Sequence, residues 1–359
     1  MGSPLLLKAP AVRGLRFMYP LQRFAYLPLF AVLLSCGGDT PVTDPAAADR
    51  ATTIEEVERL IIASPNDPAL FARRALLFEG LDSLRLAEND WKRSIALDST
   101  NARWRIALGN LYFRKVRLAD AEQRFQEAIA LQPDSTEGRS KLSEVYLTQL
   151  RFKEAMAVAN DALRIDPLDA DLYNLKGWIH RTAGDTDLAI SSYQTAIERD
   201  PAYYDAYISL GMLHAGRHDP LAVQYYNSAL EVQPKSVEAL YNKAMFAQEH
   251  GMDSLALAAY DRIKEIDPNY PLAYYNTGYI LLEHKRQVPQ ARAQFARTIA
   301  LMPNYTKAYY SRGLTYEESG MLDSASYDYS VALRLDPGFT EAAKGLERLQ
   351  SRGLPIRVR

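Results

Sequence analysis

Residues 170–201 read ADLYNLKGWIHRTAGDTDLAISSYQTAIERDP, and this stretch decides the fold because its pattern recurs along the chain. Within it, Gly177 is the eighth residue, Ala189 is the twentieth and Pro201 closes the segment. Small residues recur at the eighth position in neighbouring segments, 33 to 35 residues apart, at Ala75, Gly109, Ser143, Gly177, Gly211, Ala244, Gly278 and Gly313.

Two further series keep the same period and phase. Alanines recur at Ala87, Ala121, Ala155, Ala189, Ala222, Ala256, Ala291 and Ala325, and prolines at Pro133, Pro167, Pro201, Pro234, Pro268, Pro303 and Pro337. A bulky residue usually follows the alanine by four positions and another alanine follows three later, as at Tyr193 and Ala196. Spacings of four and three mark one face of a helix, so each segment is predicted to be a pair of helices closed by a proline.

This pattern resembles the tetratricopeptide repeat (TPR) family over residues 68–337, in eight units. The resemblance implies an all-α, right-handed superhelical solenoid of about eight helix hairpins. Residues 52–67 and 338–359 are predicted to supply an N-terminal capping helix and a C-terminal capping helix with a tail. Such caps are needed because the last apolar face of a stack would otherwise meet water.

Two local features lead to more detailed expectations. Aspartates near the start of each second helix, at Asp82, Asp185, Asp219, Asp253 and Asp323, are predicted to cap its free amides. Ala159 occupies the bulky position of the third unit. This small residue predicts a softer joint there, or a gap that a neighbour fills.

Residues 1–35 carry four basic side chains and no acidic one, and an apolar run of about 11 residues follows them. The run is too short for a membrane-spanning helix, which needs about 20 residues, so residues 1–35 are predicted to be a cleaved export signal. Leu33-Leu34-Ser35-Cys36 resembles the lipobox of bacterial lipoproteins. The resemblance implies a lipidated Cys36, a tether over residues 36–51 and a place in the bacterial cell envelope, periplasmic or surface facing. Met18 is an alternative start.

Composition and motifs exclude several classes of function. Lys and Arg number 42 against 44 Asp and Glu, which leaves no broad basic surface for nucleic acid. One cysteine cannot form a disulfide framework or a multi-cysteine zinc site. Phosphate-loop, dinucleotide-binding and H-E-x-x-H motifs are missing from the sequence, so neither catalytic residues nor a small-molecule cofactor is predicted.

The five histidines do not predict a metal site. His180 and His214 share the eleventh position of successive units, His250 and His284 share the fourteenth, and His218 stands alone. Equivalent positions in packed helices lie about 8–10 Å apart, too far to share one ion. His180 and His214 are instead predicted to fill a packing position that tyrosine occupies in other units.

In TPR proteins the first helices line a concave groove, and the resemblance implies that positions two, five, nine and twelve of each unit point into it. The predicted peptide-binding residues are Asn110, Phe113, Asn174, Trp178, Met212, Tyr241, Met245, Tyr275, Tyr279 and Tyr310. Aromatic rings and methionine suit a peptide or helix as the bound partner. The competing interpretation is that the tyrosines serve internal packing.

Charged positions in the same groove have two interpretations. Acidic residues recur at the second position of four successive units, at Glu137, Asp171, Asp205 and Glu238. Each lies in the first turn of a helix, where its negative charge interacts favourably with the helix dipole and stabilises the helix by about 0.3–1 kcal/mol. This explanation is preferred over a negative stripe that selects basic partners. Asn276 and Lys307 match the carboxylate clamp of chaperone-binding TPR proteins, whereas Tyr241 and Met245 depart from it.

These observations predict a non-enzymatic, lipid-anchored scaffold that holds a protein or peptide partner in its groove. One alternative is a structural component of an envelope assembly or secretion complex that acts through self-association. A second alternative is binding of glycan or cell-wall fragments.

Overall fold

The computed structural model describes residues 52–352, and this part of the chain forms 18 α-helices. The predicted export signal, Cys36 with the whole predicted tether, and the residues after 352 lie outside the described residues. None of the described helices is long and apolar enough to cross a membrane.

Sixteen helices form eight hairpins, each made of a first and a second helix. The first helices are α2 (Pro68–Gly80), α4 (Ala102–Arg114), α6 (Glu137–Thr148), α8 (Ala170–Ala183), α10 (Tyr204–Gly216), α12 (Val237–Glu249), α14 (Pro271–Glu283) and α16 (Thr306–Glu318). The second helices are α3 (Leu84–Leu97), α5 (Leu118–Leu131), α7 (Phe152–Ile165), α9 (Thr186–Arg199), α11 (Leu221–Val232), α13 (Asp253–Ile266), α15 (Val288–Leu301) and α17 (Leu322–Leu335).

The hairpins stack into a solenoid, which confirms the predicted all-α fold. Within each hairpin the two helices pack together, and each second helix packs on the first helix of the next hairpin. Helix α1 (Ile54–Ala63) packs on α2, and α18 (Thr340–Ser351) packs on α17. A capping box starts α1, because Thr53 accepts the amide of Glu56 while the Glu56 carboxylate accepts the amide of Thr53.

The turn inside every hairpin contains one residue in the left-handed region. The φ values of these residues lie between 53° and 92°, and they are Asp82, Val116, Leu150, Gly184, His218, Gly251, Arg286 and Gly320. In seven of the turns the amide of the next residue donates to a carbonyl five residues earlier, as from Asp185 to His180 at 2.8 Å. This arrangement closes the first helix and starts the second within a few residues.

The predicted capping of the second helices is mostly wrong. Asp219 does accept the amide of Leu221, at 3.0 Å. Asp185, at the N-cap position of α9, forms no such bond, α3 and α17 have no side-chain cap either, and Asp253 binds side chains of the next hairpin instead. The left-handed turn joins the two helices in another way, because it directs the amide of the N-cap residue back to the first helix, as from Asp185 to His180. Side-chain caps occur on first helices instead, at Asp67, Asn101, Asp169 and Ser236.

Two hydrogen bonds fix the step from one hairpin to the next. The aspartate before a closing proline accepts the amide two residues on, as between Asp200 and Ala202 at 2.9 Å. A tyrosine at the fourth position of the next first helix then donates to the proline carbonyl at 3.0 to 3.2 Å. These pairs are Tyr173 with Pro167, Tyr207 with Pro201, Tyr274 with Pro268 and Tyr309 with Pro303.

The third hairpin has Ala159 at the position where the other units have a bulky side chain. Ala159 is fully buried, and the Ser143 hydroxyl donates to the carbonyl of Ala155 at 2.8 Å. Trp178 from the next unit packs on the hydrophobic cluster that contains Ala159. That a neighbouring side chain fills the space beside Ala159 stays a prediction.

Candidate binding groove

The first helices form the surface that we call the groove. First helices of successive hairpins contact one another directly, as α4 does with α6, α6 with α8, α10 with α12 and α14 with α16. Each also packs against the second helix of its own hairpin. The side chains at positions two, five, nine and twelve therefore lie on a shared face that runs along the stack.

Three tyrosines at the fifth position of α12, α14 and α16 make a repeated contact, which we call the tyrosine ladder. Each ring lies between the bulky ring of its own second helix and the aromatic residue that precedes the next helix of the stack, which for Tyr310 is the capping helix α18. The ring centroid of Tyr241 lies 6.3 Å from that of Tyr260 and 5.8 Å from that of Tyr270. For Tyr275 the distances are 5.7 Å to Phe295 and 5.1 Å to Tyr305. For Tyr310 they are 5.7 Å to Tyr329 and 5.4 Å to Phe339.

The ladder is part of the packing between hairpins as well as part of the groove wall. Tyr275 is the most enclosed of the three, and burial raises the pKa of its hydroxyl. Its oxygen lies 3.4 Å from the Ser311 hydroxyl on the next first helix. Burial also raises the pKa of Tyr241 and of Tyr310. The ring contacts hold the three side chains in place, and their hydroxyls stay protonated at neutral pH.

Two of the predicted groove residues are well exposed. Met212 on α10 has 48% of its surface accessible, and Tyr279 on α14 has 38%. Tyr279 stands edge-on to His284, with ring centroids 6.0 Å apart. These two side chains offer apolar area to a bound partner without a prior rearrangement of the packing.

The remaining predicted residues are half-buried. Asn110 and Phe113 on α4 share the groove face, and Asn174 and Trp178 do so on α8. Phe113 and Trp178 also pack against the hydrophobic core. Among the described residues, the buried Asn174 Oδ1 has no hydrogen-bond partner.

Met245 takes part in a polar cluster on the groove wall. Asn276 donates to Met245 Sδ at 3.5 Å, and the hydroxyl of Tyr260 lies 3.3 Å from the same sulfur. Tyr260 also donates to Gln248 at 3.0 Å. Because Asn276 is buried in this cluster, it is not presented to a ligand as the carboxylate clamp would require.

Two of the four acidic residues at the second position accept hydrogen bonds from tyrosines across the steps between hairpins. Tyr203 donates to Asp171 at 2.5 Å, and Tyr204 donates to Glu238 at 3.2 Å. Burial and these acidic neighbours raise the pKa of both tyrosines. These hydrogen bonds give Asp171 and Glu238 a structural role that differs from the helix-dipole interpretation preferred from the sequence.

The histidines differ from the sequence interpretation in one respect. His214 is buried, its Nδ1 lies 2.7 Å from Asp219 and its ring stacks on Tyr225, as expected of a packing residue. His218, however, is not isolated, because its Nδ1 lies 3.3 Å from Nε2 of His250 in the next turn. Within residues 52–352 no group of three or more His, Cys, Asp and Glu side chains is arranged to hold a metal.

Sequence reasoning missed the outer partners of the tyrosine ladder. Tyr270 and Tyr305 each precede a first helix, Phe339 precedes the capping helix α18, and Tyr203 occupies the same register. Their recurrence at the repeat period was the signal that could have identified them. The predicted binding residues thus lie on one face, and that they bind a partner stays a prediction.

The paired helices, the left-handed turns and the shared groove define a solenoid of helical repeats. Sequence models of the tetratricopeptide repeat family match residues 72–136, 117–179, 170–203 and 220–271, which together span just over half of the chain. The chain belongs to the tetratricopeptide repeat family. No curated protein sequence matches it.

A solved structure supports the fold, and two further TPR proteins are similar over shorter or looser superpositions. The C-terminal part of a TPR repeat-containing protein from Cytophaga hutchinsonii superposes with a TM-score of 0.60 at 18% identity, covering 68% of this chain and 99% of that one. A tetratricopeptide repeat protein from Parabacteroides merdae gives 0.46 at 17% identity, covering 69% and 98%. YrrB, described as a TPR protein with an unusual peptide-binding site, gives 0.39 at 22% identity, covering 51% and 95%. Identities this low describe the fold and not the ligand.

Proposed function

We propose that the protein is a non-enzymatic scaffold that holds a peptide or helix of a protein partner in the groove of its first helices. The observation that carries this proposal is the exposure of Met212 and Tyr279 on a face whose other aromatic residues are fixed by packing. Exposed apolar side chains beside rigid half-buried rings are typical of surfaces that recognise proteins.

The tyrosine ladder supports tight binding because it prepares the groove wall before a partner arrives. A side chain that is already ordered loses little conformational entropy on binding, whereas ordering a flexible one costs about 0.5–1.5 kcal/mol. Tyr241, Tyr275 and Tyr310 are each held by two rings. An extended or helical segment running along the first helices would contact them in order.

A non-catalytic role is supported by the way in which the charged clusters are used. Glu88 is held by Lys92, Lys115 and Arg117, and the Arg312–Asp328 pair is enclosed within a hairpin. These groups join helices to one another, which accounts for their burial without a substrate. No cofactor enters the proposal.

We also propose that Cys36 is lipidated and that the protein faces the periplasm or the cell surface of a bacterium. The support is the lipobox sequence and the basic, apolar leader before it. Intact-mass analysis of the protein from membranes tests this part separately. An acylated chain that begins at Cys36 is expected, and an unmodified chain that retains its leader would overturn it.

Site-specific photo-cross-linking tests the groove. A photoreactive phenylalanine analogue is placed at Met212 or Tyr279 in the full chain, and at Tyr327 on the second helix α17 as a control with 63% exposure. A protein that cross-links from both groove positions but not from Tyr327 is expected. Equal capture from all three positions, or capture of no protein, would contradict the proposal.

The alternatives give different products in the same experiment. A cross-linked species of twice the chain mass would indicate self-association, and light scattering that shows a dimer would agree with it. Protection of the groove positions by soluble cell-wall fragments would indicate glycan binding. Either outcome replaces the proposed partner.

A further inference from the structure

Two histidines from the turns of adjacent hairpins face each other on the described surface. His218 lies in the turn between α10 and α11, and His250 follows α12. The distance from His218 Nδ1 to His250 Nε2 is 3.3 Å, and the ring centroids are 5.4 Å apart. The pair therefore joins the fifth hairpin to the sixth.

The backbone fixes the protonation of His250. Its Nδ1 lies 2.7 Å from the carbonyl oxygen of Phe246. A carbonyl can only accept, so Nδ1 carries the hydrogen and Nε2 of the neutral ring presents its lone pair to His218. The ring also stacks on Phe246, with centroids 4.0 Å apart, which holds its orientation. Carbonyl support of the second ring nitrogen is the usual arrangement behind a metal-bound histidine.

The backbone also positions His218. Its φ of 55° places it in the left-handed part of the turn, and its amide donates to the carbonyl of Ala215 at 3.0 Å. The side chain is exposed, whereas His250 is half-buried. An ion can therefore reach the two nitrogens from solvent.

The spacing of the two nitrogens suits a shared metal ion. Histidine nitrogens lie about 2.0–2.1 Å from zinc, and tetrahedral geometry then separates two of them by about 3.3 Å. The observed 3.3 Å equals this separation, and the same distance allows a direct hydrogen bond between the two rings when no ion is bound.

We propose that His218 Nδ1 and His250 Nε2 form a surface site for a borderline divalent transition ion such as Zn²⁺, with water completing its coordination. Imidazole ligands suit Zn²⁺, Cu²⁺ and Ni²⁺, whereas Mg²⁺ and Ca²⁺ prefer oxygen. The bound ion would tie the fifth hairpin to the sixth and so stabilise the stack. This inference is independent of the binding role proposed for the groove.

The test is a calorimetric titration of the full chain with Zn²⁺, and a parallel titration with Mg²⁺. The melting temperature is measured with and without each ion. His218→Gly removes one ligand and suits the left-handed turn, so it keeps the fold. His250→Gln removes the other. His180→Gln is the control, because His180 lies in the last turn of helix α8, outside the pair.

Saturable Zn²⁺ binding that raises the melting temperature is expected in the wild type and in His180→Gln, with no response to Mg²⁺. Each variant of the pair should bind at least tenfold more weakly, while its circular dichroism stays that of the wild type. Wild-type binding weaker than about 1 mM, or equal binding by His218→Gly and the wild type, would overturn the proposal. If His250→Gln fails to fold, His218→Gly decides the question alone.

Discussion

A Cβ atom added to Gly211 would lie 2.4 Å from Cε1 of Tyr226, on the second helix of the same hairpin. The equivalent distances are 2.6 Å for Gly109 and Phe125, 2.5 Å for Gly177 and Tyr193, 2.8 Å for Gly278 and Phe295, and 2.6 Å for Gly313 and Tyr329. The small residue of the repeat is thus required by a ring that lies flat against its backbone.

Gly211→Ala should destabilise the protein by about 1–3 kcal/mol, because the ring of Tyr226 is fully enclosed and must move. Chemical denaturation measures the effect. Gly216→Ala, at the end of the same helix, is the control, since nothing lies within 4 Å of its added Cβ. Its effect should stay within about 0.5 kcal/mol. Equal losses in the two variants would contradict the packing explanation.

Val116→Gly should stabilise the protein. Val116 has a φ of 58° and is 74% exposed. A non-glycine residue in the left-handed region destabilises the folded state, and so exposed a side chain gains little from packing. That penalty is about 1–2 kcal/mol, and the extra entropy of glycine in the unfolded chain offsets part of it, which leaves about 0.5 kcal/mol. Gly184→Val, at the same place in the fourth hairpin, should lose about 1–2 kcal/mol. Unfolding free energies that move the other way would refute this.

Asp328→Ala should cost about 3–5 kcal/mol, because it leaves the Arg312 guanidinium enclosed without its partner. Asp328 is 1% exposed and accepts two hydrogen bonds from Arg312, both at 2.8 Å. The first hairpin holds the same pair, Arg74 with Asp90, at 2.7 and 2.9 Å.

The matched control for this ion pair lies on the surface. Glu265 binds Arg262 at 2.7 Å with both side chains more than half exposed. Glu265→Ala should change the unfolding free energy by less than about 0.5 kcal/mol. A similar loss at the two sites would show that enclosure does not matter.

Acid should weaken the contact between the first two hairpins. Burial alone would raise the pKa of Glu88, but hydrogen bonds from Lys115, Lys92 and Arg117 outweigh it and lower the pKa from 4.5 to about 2. A carboxylate whose pKa is lower in the folded state stabilises the protein above its unfolded pKa. That contribution should fade as the pH falls from about 4.5 to about 2.

Glu88→Gln provides the measurement of this effect. The variant should be less stable than the wild type at pH 7, and the difference in unfolding free energy should shrink below pH 4.5. A difference that stays constant between pH 7 and pH 3 would mean that the charge of Glu88 does not stabilise the stack.

The periodicity predicted the hairpins well because it reports local spacing. The positions of Gly177 and Ala189 each recur at a contact between helices, and the position of Pro201 recurs where a hairpin ends. The solenoid followed from these three positions. The small residue at the eighth position, however, was expected to allow a close approach of the two helices in general. The structure shows that the glycine leaves room for one specific side chain, the ring four residues after the alanine of the second helix.

Contacts between non-equivalent positions could not be predicted in the same way. His218 is the fifteenth residue of its unit and His250 the fourteenth of the next, so a comparison of equivalent positions does not pair them. The dual role of Tyr275 was also hidden, since its fifth position predicts exposure to the groove but not the ring of Tyr305 that covers it. The exposed fractions in the structure separate Tyr279 from Tyr275 as a place to test binding.

The central claim is that the groove holds a protein partner, and the affinity of the cross-linked partner for two single tyrosine variants tests it most directly. Tyr279→Ala removes an exposed ring from the groove, and Tyr327→Ala removes an exposed ring from a second helix. The account predicts at least a tenfold weaker Kd for Tyr279→Ala, which is about 1.4 kcal/mol, and less than a twofold change for Tyr327→Ala. Equal Kd values for the two variants, or a larger loss for Tyr327→Ala, would contradict it.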